Sequence, residues 1–200
     1  MRKEPLNFIF LFFTDAKVVI ILHDFVHLHR FNRKVLRIYL IGYMGSGKSA
    51  LGRQLSALLG SGFLDLDDLF EERYHLSIYD FFEKYGEDNF RKIERELLLG
   101  TSDIENVVIS TGGGTPCFFD NMDFIVGHGI SVYLRMTSRE LAGRLMHVRR
   151  KRPLLKDLEP EKFEEWITGQ LLAREVFYMK DSHLYYPQKE DITELAFRLR

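Results

Sequence analysis

A single cysteine, Cys117, is all that the 200-residue chain offers to disulfide chemistry, so an internal disulfide is impossible. A lone thiol in a chain of otherwise ordinary composition fits a reducing compartment, and the expected location is cytoplasmic. Cys117 follows a Gly-Gly-Gly-Thr-Pro run with no base beside it, which reads as a small packing residue and not as a catalytic thiol. A surplus of one charge sign is also missing. Lysine and arginine number 28 against 29 aspartates and glutamates, and the formal charge of -1 argues against a polyanion as main partner. No nucleic-acid partner is expected, and any anion site must be local. Nor does the chain carry an unbroken apolar run of membrane-spanning length. Between Leu6 and Leu28 it is rich in Phe, Ile, Leu and Val, but Asp15, Lys17, His23 and Asp24 interrupt it. No membrane partner is expected either.

Residues 1–34 differ in character from the rest. Leu6 to Phe13, after Arg2 and Lys3, has the look of a short signal-type apolar region, yet no small-x-small cleavage site follows. We read the segment as an extension of unknown role, lineage-specific or upstream of the natural start. His23 and His27 share a helical face, with His29 close by, and read as a polar edge more readily than as a metal-ligand set.

What is present from residue 35 onward is an alternation of strand-like and helix-like segments. Val35 to Ile41 is a β-rich run without a turn residue, and Leu51, Leu55, Leu58 and Leu59 then line one side of a helix. A short strand around Phe63 to Leu66 leads into helical stretches through Tyr85 and over Asn89 to Leu99. Val107 to Ser110 and Ile130 to Leu134 read as further buried strands. Helices are predicted from Ser138 to Met146 and from Glu161 to Tyr178. Such alternation implies a parallel sheet covered on both faces, a three-layer α/β fold in one domain over residues 35–200.

Between the first strand and its helix stands Gly42-Tyr-Met-Gly45-Ser46-Gly47-Lys48-Ser49, which matches the phosphate-loop pattern completely and in the structural context it requires. Glycines let the backbone curl so that successive N–H groups, together with the helix start at Ser49 and Ala50, face a triphosphate. Lys48 is expected to reach the β- and γ-phosphates, and Ser49 to offer its hydroxyl to Mg²⁺. Alone, the loop says only that a nucleotide such as ATP binds.

The acceptor must be read elsewhere. Asp65 and Asp67 stand two apart at a strand's carboxyl end, where both carboxylates could project to one side for cation and proton work; they read equally as a helix N-cap with acidic first-turn residues, Asp68 included. Arg91 is either a functional cation or the i,i+3 partner of Glu94. Gly112, Gly113 and Gly114 follow the strand VVIS and mark a close ligand approach or a flexible turn. The run HVRRKRPLLK at residues 147–156 reads as a solvated loop or an RNA-binding patch.

Taken together, the strings GYMGSGKS, FLDLDD, SIYDFFEKYGEDNFRKIE, VVISTGGG, RKRPLL and LLAREVFY resemble the shikimate kinase family, from Val35 to about Tyr178. The resemblance implies a P-loop NTPase fold with a mobile lid, ATP as co-substrate, Mg²⁺ as cofactor, shikimate as acceptor, and here we expect a monomer. It assigns Asp67 to the acceptor hydroxyls as candidate base, Asp65 to Mg²⁺, Arg91 and Arg174 to the acceptor carboxylate, and Gly112 to Gly114 to backbone contacts with the acceptor. It maps Arg152 onto a lid arginine that closes over the phosphates and Arg144 onto a nucleotide-contacting arginine. Ser182 to Arg200 lack a clear adenine-contacting motif, and residues 1–34 have no counterpart in the family. The rival readings are another small-molecule kinase, for gluconate or a nucleoside monophosphate, and a non-catalytic nucleotide-binding module.

Overall fold

Alternate residues of the first strand point to opposite faces, and in this chain both faces are buried. That requires cover on either side of the sheet. A computed structural model describes residues 36–146, 159, 162–180, 182–187 and 191–199. The extension at residues 1–34, its histidines, and the basic segment 147–156 with Arg152 lie outside the described residues.

Strands β1 (Arg37–Ile41), β2 (Gly62–Asp65), β3 (Val107–Ser110), β4 (Ile130–Arg135) and β5 (Leu184–Pro187) form a five-stranded sheet in the order β2-β3-β1-β4-β5. Every pairing is parallel, with Tyr39 opposite Ile109 on one side and Ser131 on the other. Helices α1 (Lys48–Leu59), α2 (Leu66–Tyr74), α3 (Ile78–Tyr85), α4 (Glu87–Leu99), α5 (Asn121–His128), α6 (Ser138–Met146), α7 (Phe163–Lys180) and α8 (Ile192–Arg198) complete the described chain.

The strand pleat sorts the core into two clusters. Tyr39 and Ile41 of β1 pack with Leu66, Phe70, Phe90, Leu97 and Ile125 of the helices on one face. Ile38 and Leu40 pack with Leu55 of α1 and Leu195 of α8 on the other. This is the expected three-layer α/β arrangement. A third cluster at the carboxyl edge joins Tyr43 of the glycine-rich loop to Leu141 and Leu145 of α6 and to Phe163, Ile167 and Leu171 of α7. No described helix is long and apolar enough to cross a membrane.

Some elements depart from the sequence reading. The helical stretch after β2 is broken at His75, whose backbone takes a left-handed φ of 52°, and restarts where the Ser77 hydroxyl accepts from the Asp80 N–H at 3.0 Å. Helices α5 and α8 and the edge strand β5 were not among the expected elements.

Candidate active site

The chain crosses from β3 on one side of β1 to β4 on the other, so the carboxyl ends of β1 and β3 border the crevice where open parallel sheets bind ligands. The glycine-rich loop leaves β1 there, and the triple glycine leaves β3 beside it.

In the loop, Gly42, Gly45 and Gly47 take φ values of 139°, 78° and 92°, a region that side-chain-bearing residues avoid. Gly47 caps α1 with no side-chain hydrogen bond, and the helix has no acidic residue in its first turn. The positive end of α1 is thus left for an anion. Lys48 is buried, and its Nζ donates to the carbonyls of Gly42 at 2.8 Å and Tyr43 at 3.0 Å, which lays its charge along the loop. Ser46 is buried beside it, while Ser49 and Ala50 are exposed at the first turn of α1. From α6, the Arg144 Nη1 donates to the Gly45 carbonyl at 3.3 Å, so this arginine also stands at the loop.

On the other side of the crevice, the paired aspartates do not both project from a strand end. Strand β2 stops at Asp65, which is the N-cap of α2 and accepts from the Asp67 N–H at 3.0 Å. Asp67 lies in the first turn of that helix. The capping reading of the sequence therefore describes the local structure, and the cap is what fixes where Asp67 stands. The Asp67 Oδ1 faces the α-carbon of Gly112: a β-carbon there would lie 3.1 Å from it.

Arg91 of α4 is buried between two carboxylates. Its Nε and Nη2 donate to Glu87 Oε1 at 3.0 and 2.8 Å, and its Nη1 donates to Glu94 Oε2 at 2.8 Å. The i,i+3 pair with Glu94 that the sequence offered is present. Burial alone would lower the guanidinium pKa, but Glu94 and then Glu87 outweigh it and hold the group above its ordinary value. Glu94 is itself held, because the Thr115 hydroxyl donates to its Oε1 at 2.6 Å. The guanidinium carbon also lies 4.2 Å from the centre of the Phe118 ring.

Protein groups crowd the triple glycine and leave no room for a side chain. A β-carbon on Gly112 would fall 2.4 Å from Glu94 Oε1, one on Gly113 would fall 2.8 Å from the Met44 backbone nitrogen, and one on Gly114 would fall 2.7 Å from Arg91 Nη2. None of the three takes a left-handed φ, so the constraint is space and not backbone strain. A contrast follows. Gly113→Ala, which meets rigid backbone of the phosphate loop, should raise KM for the nucleotide, whereas Gly114→Ala, which displaces Arg91, should raise KM for the acceptor by about tenfold or more, the worth of one charge-assisted hydrogen bond. Steady-state kinetics with each substrate varied in turn check the pair.

Arg174 of α7 reaches the same crevice from the third side, its guanidinium carbon 5.2 Å from the Tyr43 ring centre and its Nη2 3.5 Å from Gln170 Oε1. Cys117 lies within electrostatic reach of both Arg174 and Arg91. Burial pushes the Cys117 thiol up to about 11, against the pull of Arg174 and a hydrogen bond with Tyr178, so it stays protonated and packs, as expected from the sequence. The Tyr178 hydroxyl donates to the Gly113 carbonyl and ties α7 to the glycine turn.

The structure thus brings together Lys48, Asp65, Asp67, Arg91, the triple glycine, Arg144 and Arg174 at one sheet edge. Sequence reasoning missed the supporting set: Glu87, Thr115, Phe118, Tyr43 and Tyr178. Thr115 and Phe118 adjoin the triple glycine, and that adjacency was the available signal. Tyr178 is remote in sequence and gave none.

Comparison with known proteins agrees with this geometry. A family model described as shikimate kinase matches residues 44–198. A shikimate kinase of Parabacteroides distasonis is 44% identical over 153 residues, covering 76% of this chain and 88% of that protein. The crystal structure of the shikimate kinase from Bacteroides thetaiotaomicron superimposes with a TM-score of 0.74 at 38% identity, covering 82% of this chain and 96% of that one. The shikimate kinase from Acinetobacter baumannii, solved in complex with shikimate, also gives 0.74, at 32% identity and covering 82% of this chain and 90% of that one. With identity at this level over most of both chains, and with the phosphate loop, the buried arginine and the triple glycine at one edge of the sheet, the chain belongs to the shikimate kinase family.

Proposed function

We propose that this chain transfers the γ-phosphoryl group of ATP to a hydroxyl of shikimate, giving shikimate 3-phosphate and ADP, and that it acts in the cytoplasm as a monomer. The observation that carries the reading is the placement of the buried Arg91 against Gly114 and of Arg174 over Tyr43 of the phosphate loop, with Gly113 between them abutting that loop at Met44. A guanidinium has five N–H donors, and Arg91 commits three of them to Glu87 and Glu94. One N–H remains on each terminal nitrogen, the end-on fork that suits a carboxylate. The two glutamates outweigh the single charge of Arg91, so an anionic acceptor needs a second cation, and Arg174 supplies it.

In this reading Asp67 accepts the proton of the attacking hydroxyl, and the acceptor lies against Gly112, Gly113 and Gly114. Lys48 neutralises charge on the β- and γ-phosphates, and Arg144 flanks the nucleotide at Gly45. Ser49 and Asp65 suit Mg²⁺, since they offer hard oxygen donors and Asp65 engages one of its oxygens in the α2 cap. When bound, the ion supplies further neutralisation of phosphate charge. Arg152, outside the described residues, is assigned by the family resemblance to neutralising charge on the transferring phosphoryl group.

A coupled assay of ADP release with shikimate, gluconate or a nucleoside monophosphate as acceptor tests the reading. Release stimulated by shikimate alone is expected. Stimulation by one of the others would assign a different small-molecule kinase, and ATP binding with no release under any acceptor would leave a nucleotide-binding module.

A further inference from the structure

The two arginines of the crevice are anchored very differently. Arg91 is clamped by two carboxylates and lies over Phe118. Among the described residues Arg174 has no such clamp: its guanidinium donates to Gln170 at 3.5 Å, the weak end of the hydrogen-bond range, and lies over the ring of Tyr43. A long side chain held this loosely would sample several rotamers and lose affinity for whatever it grips.

Tyr43 is the second residue of the phosphate loop, yet its side chain is buried away from the loop among Leu141, Leu145, Phe163, Ile167 and Leu171 of α6 and α7. Only 1% of it is exposed. Its hydroxyl has no hydrogen-bond partner among the described residues, and burial pushes the phenol up to about 12 although Arg174 opposes the shift. A buried hydroxyl without a partner is a cost that a phenylalanine would avoid, so the ring and its π face are the useful part of this side chain. The guanidinium of Arg174 stands one helical turn beyond Leu171, with the ring centre 5.2 Å away.

We propose that Tyr43 is the positioning residue of Arg174: its ring, rooted in the phosphate loop and packed under α6 and α7, sets where the acceptor-side guanidinium stands. The proposal rests on the reading above that Arg174 holds the acceptor carboxylate. It ties the acceptor-side cation to the loop that holds the nucleotide through one side chain, and it needs no contact between Tyr43 and either substrate.

The test is a set of variants of the full chain, Tyr43→Phe, Tyr43→Leu, Arg174→Ala and the Tyr43→Leu/Arg174→Ala double variant, with KM for shikimate and for ATP and kcat measured for each. Tyr43→Leu should raise KM for shikimate about fivefold, the scale of a partly buried cation–π contact, with a much smaller change in KM for ATP. Tyr43→Phe, which keeps the ring, should restore the wild-type value. In the Arg174→Ala background, Tyr43→Leu should add nothing to KM for shikimate. Should Tyr43→Leu fail to fold, Tyr43→Met, whose flexible unbranched chain reaches further into the space the ring occupied, carries the same comparison. An unchanged KM for shikimate in the leucine or methionine variant overturns the proposal, as does a rise that persists undiminished without Arg174. If Arg174→Ala itself leaves KM for shikimate unchanged, the reading of Arg174 falls first and the role of Tyr43 falls with it.

Discussion

Replacing Lys48 by methionine is expected to lower kcat by about a thousandfold, the scale seen when a preorganised charge on a transferring phosphoryl group is removed. The side chain is buried, and its ammonium already lies on the carbonyls of Gly42 and Tyr43, pre-placed along the loop before any phosphate arrives. Methionine keeps the apolar stem but removes the ammonium donor from the Gly42 carbonyl and leaves the Tyr43 carbonyl with the Ser46 N–H, so some loss of stability accompanies the loss of rate. Arg91 and Arg174, proposed to hold the acceptor, are untouched, and shikimate binding measured by calorimetry should change little. Wild-type turnover in this variant would remove Lys48 from the phosphoryl step.

Asp67→Asn is expected to lower kcat by about 10² to 10⁴, the contribution of a positioned general base. The substitution is nearly isosteric, and it leaves intact the backbone N–H by which Asp67 joins the Asp65 cap of α2. Folding is therefore preserved, which separates the chemical role from the capping role that the same sequence pattern also suggests. KM for shikimate should move far less than kcat, because an amide still hydrogen-bonds an acceptor hydroxyl but does not take its proton. If kcat is unchanged while the melting temperature falls, Asp67 is a first-turn helix residue and nothing more.

How much of this could be read from residues alone differs between the two sides of the crevice. The phosphate loop is self-contained: its glycines, lysine and serine are consecutive, and β1 and α1 flank it as the pattern requires. The acceptor side is assembled from α2, α4, the turn after β3 and α7, so its members were visible only one at a time or through family resemblance. Arg91 with Glu94 was legible because both lie on one helix face, whereas the Thr115 and Phe118 contacts cross to another element. The triple glycine was recognised as a break, but the protein groups that crowd it lie on other elements and were not visible. The groups that exclude a side chain there are Glu94, Met44 and Arg91 of the protein itself. Asp67 was placed on a strand end because the apolar alternation runs into LDLDD, and the cap formed by Asp65 turns the chain into a helix one residue earlier than that alternation suggests. The break at His75 escaped notice because the left-handed residue there is not a glycine. Strand β5 reads LYYP, and its closing proline argues against a strand in a sequence reading, while α5 and α8 span only about two turns each.

The most direct test of the central claim follows the phosphoryl group itself. With ATP labelled in the γ-phosphate, the protein should transfer label to shikimate in one-to-one amount with ADP, and release little free phosphate when shikimate is withheld. Label appearing as inorganic phosphate at the same rate with and without shikimate, or no transfer at all, would contradict it.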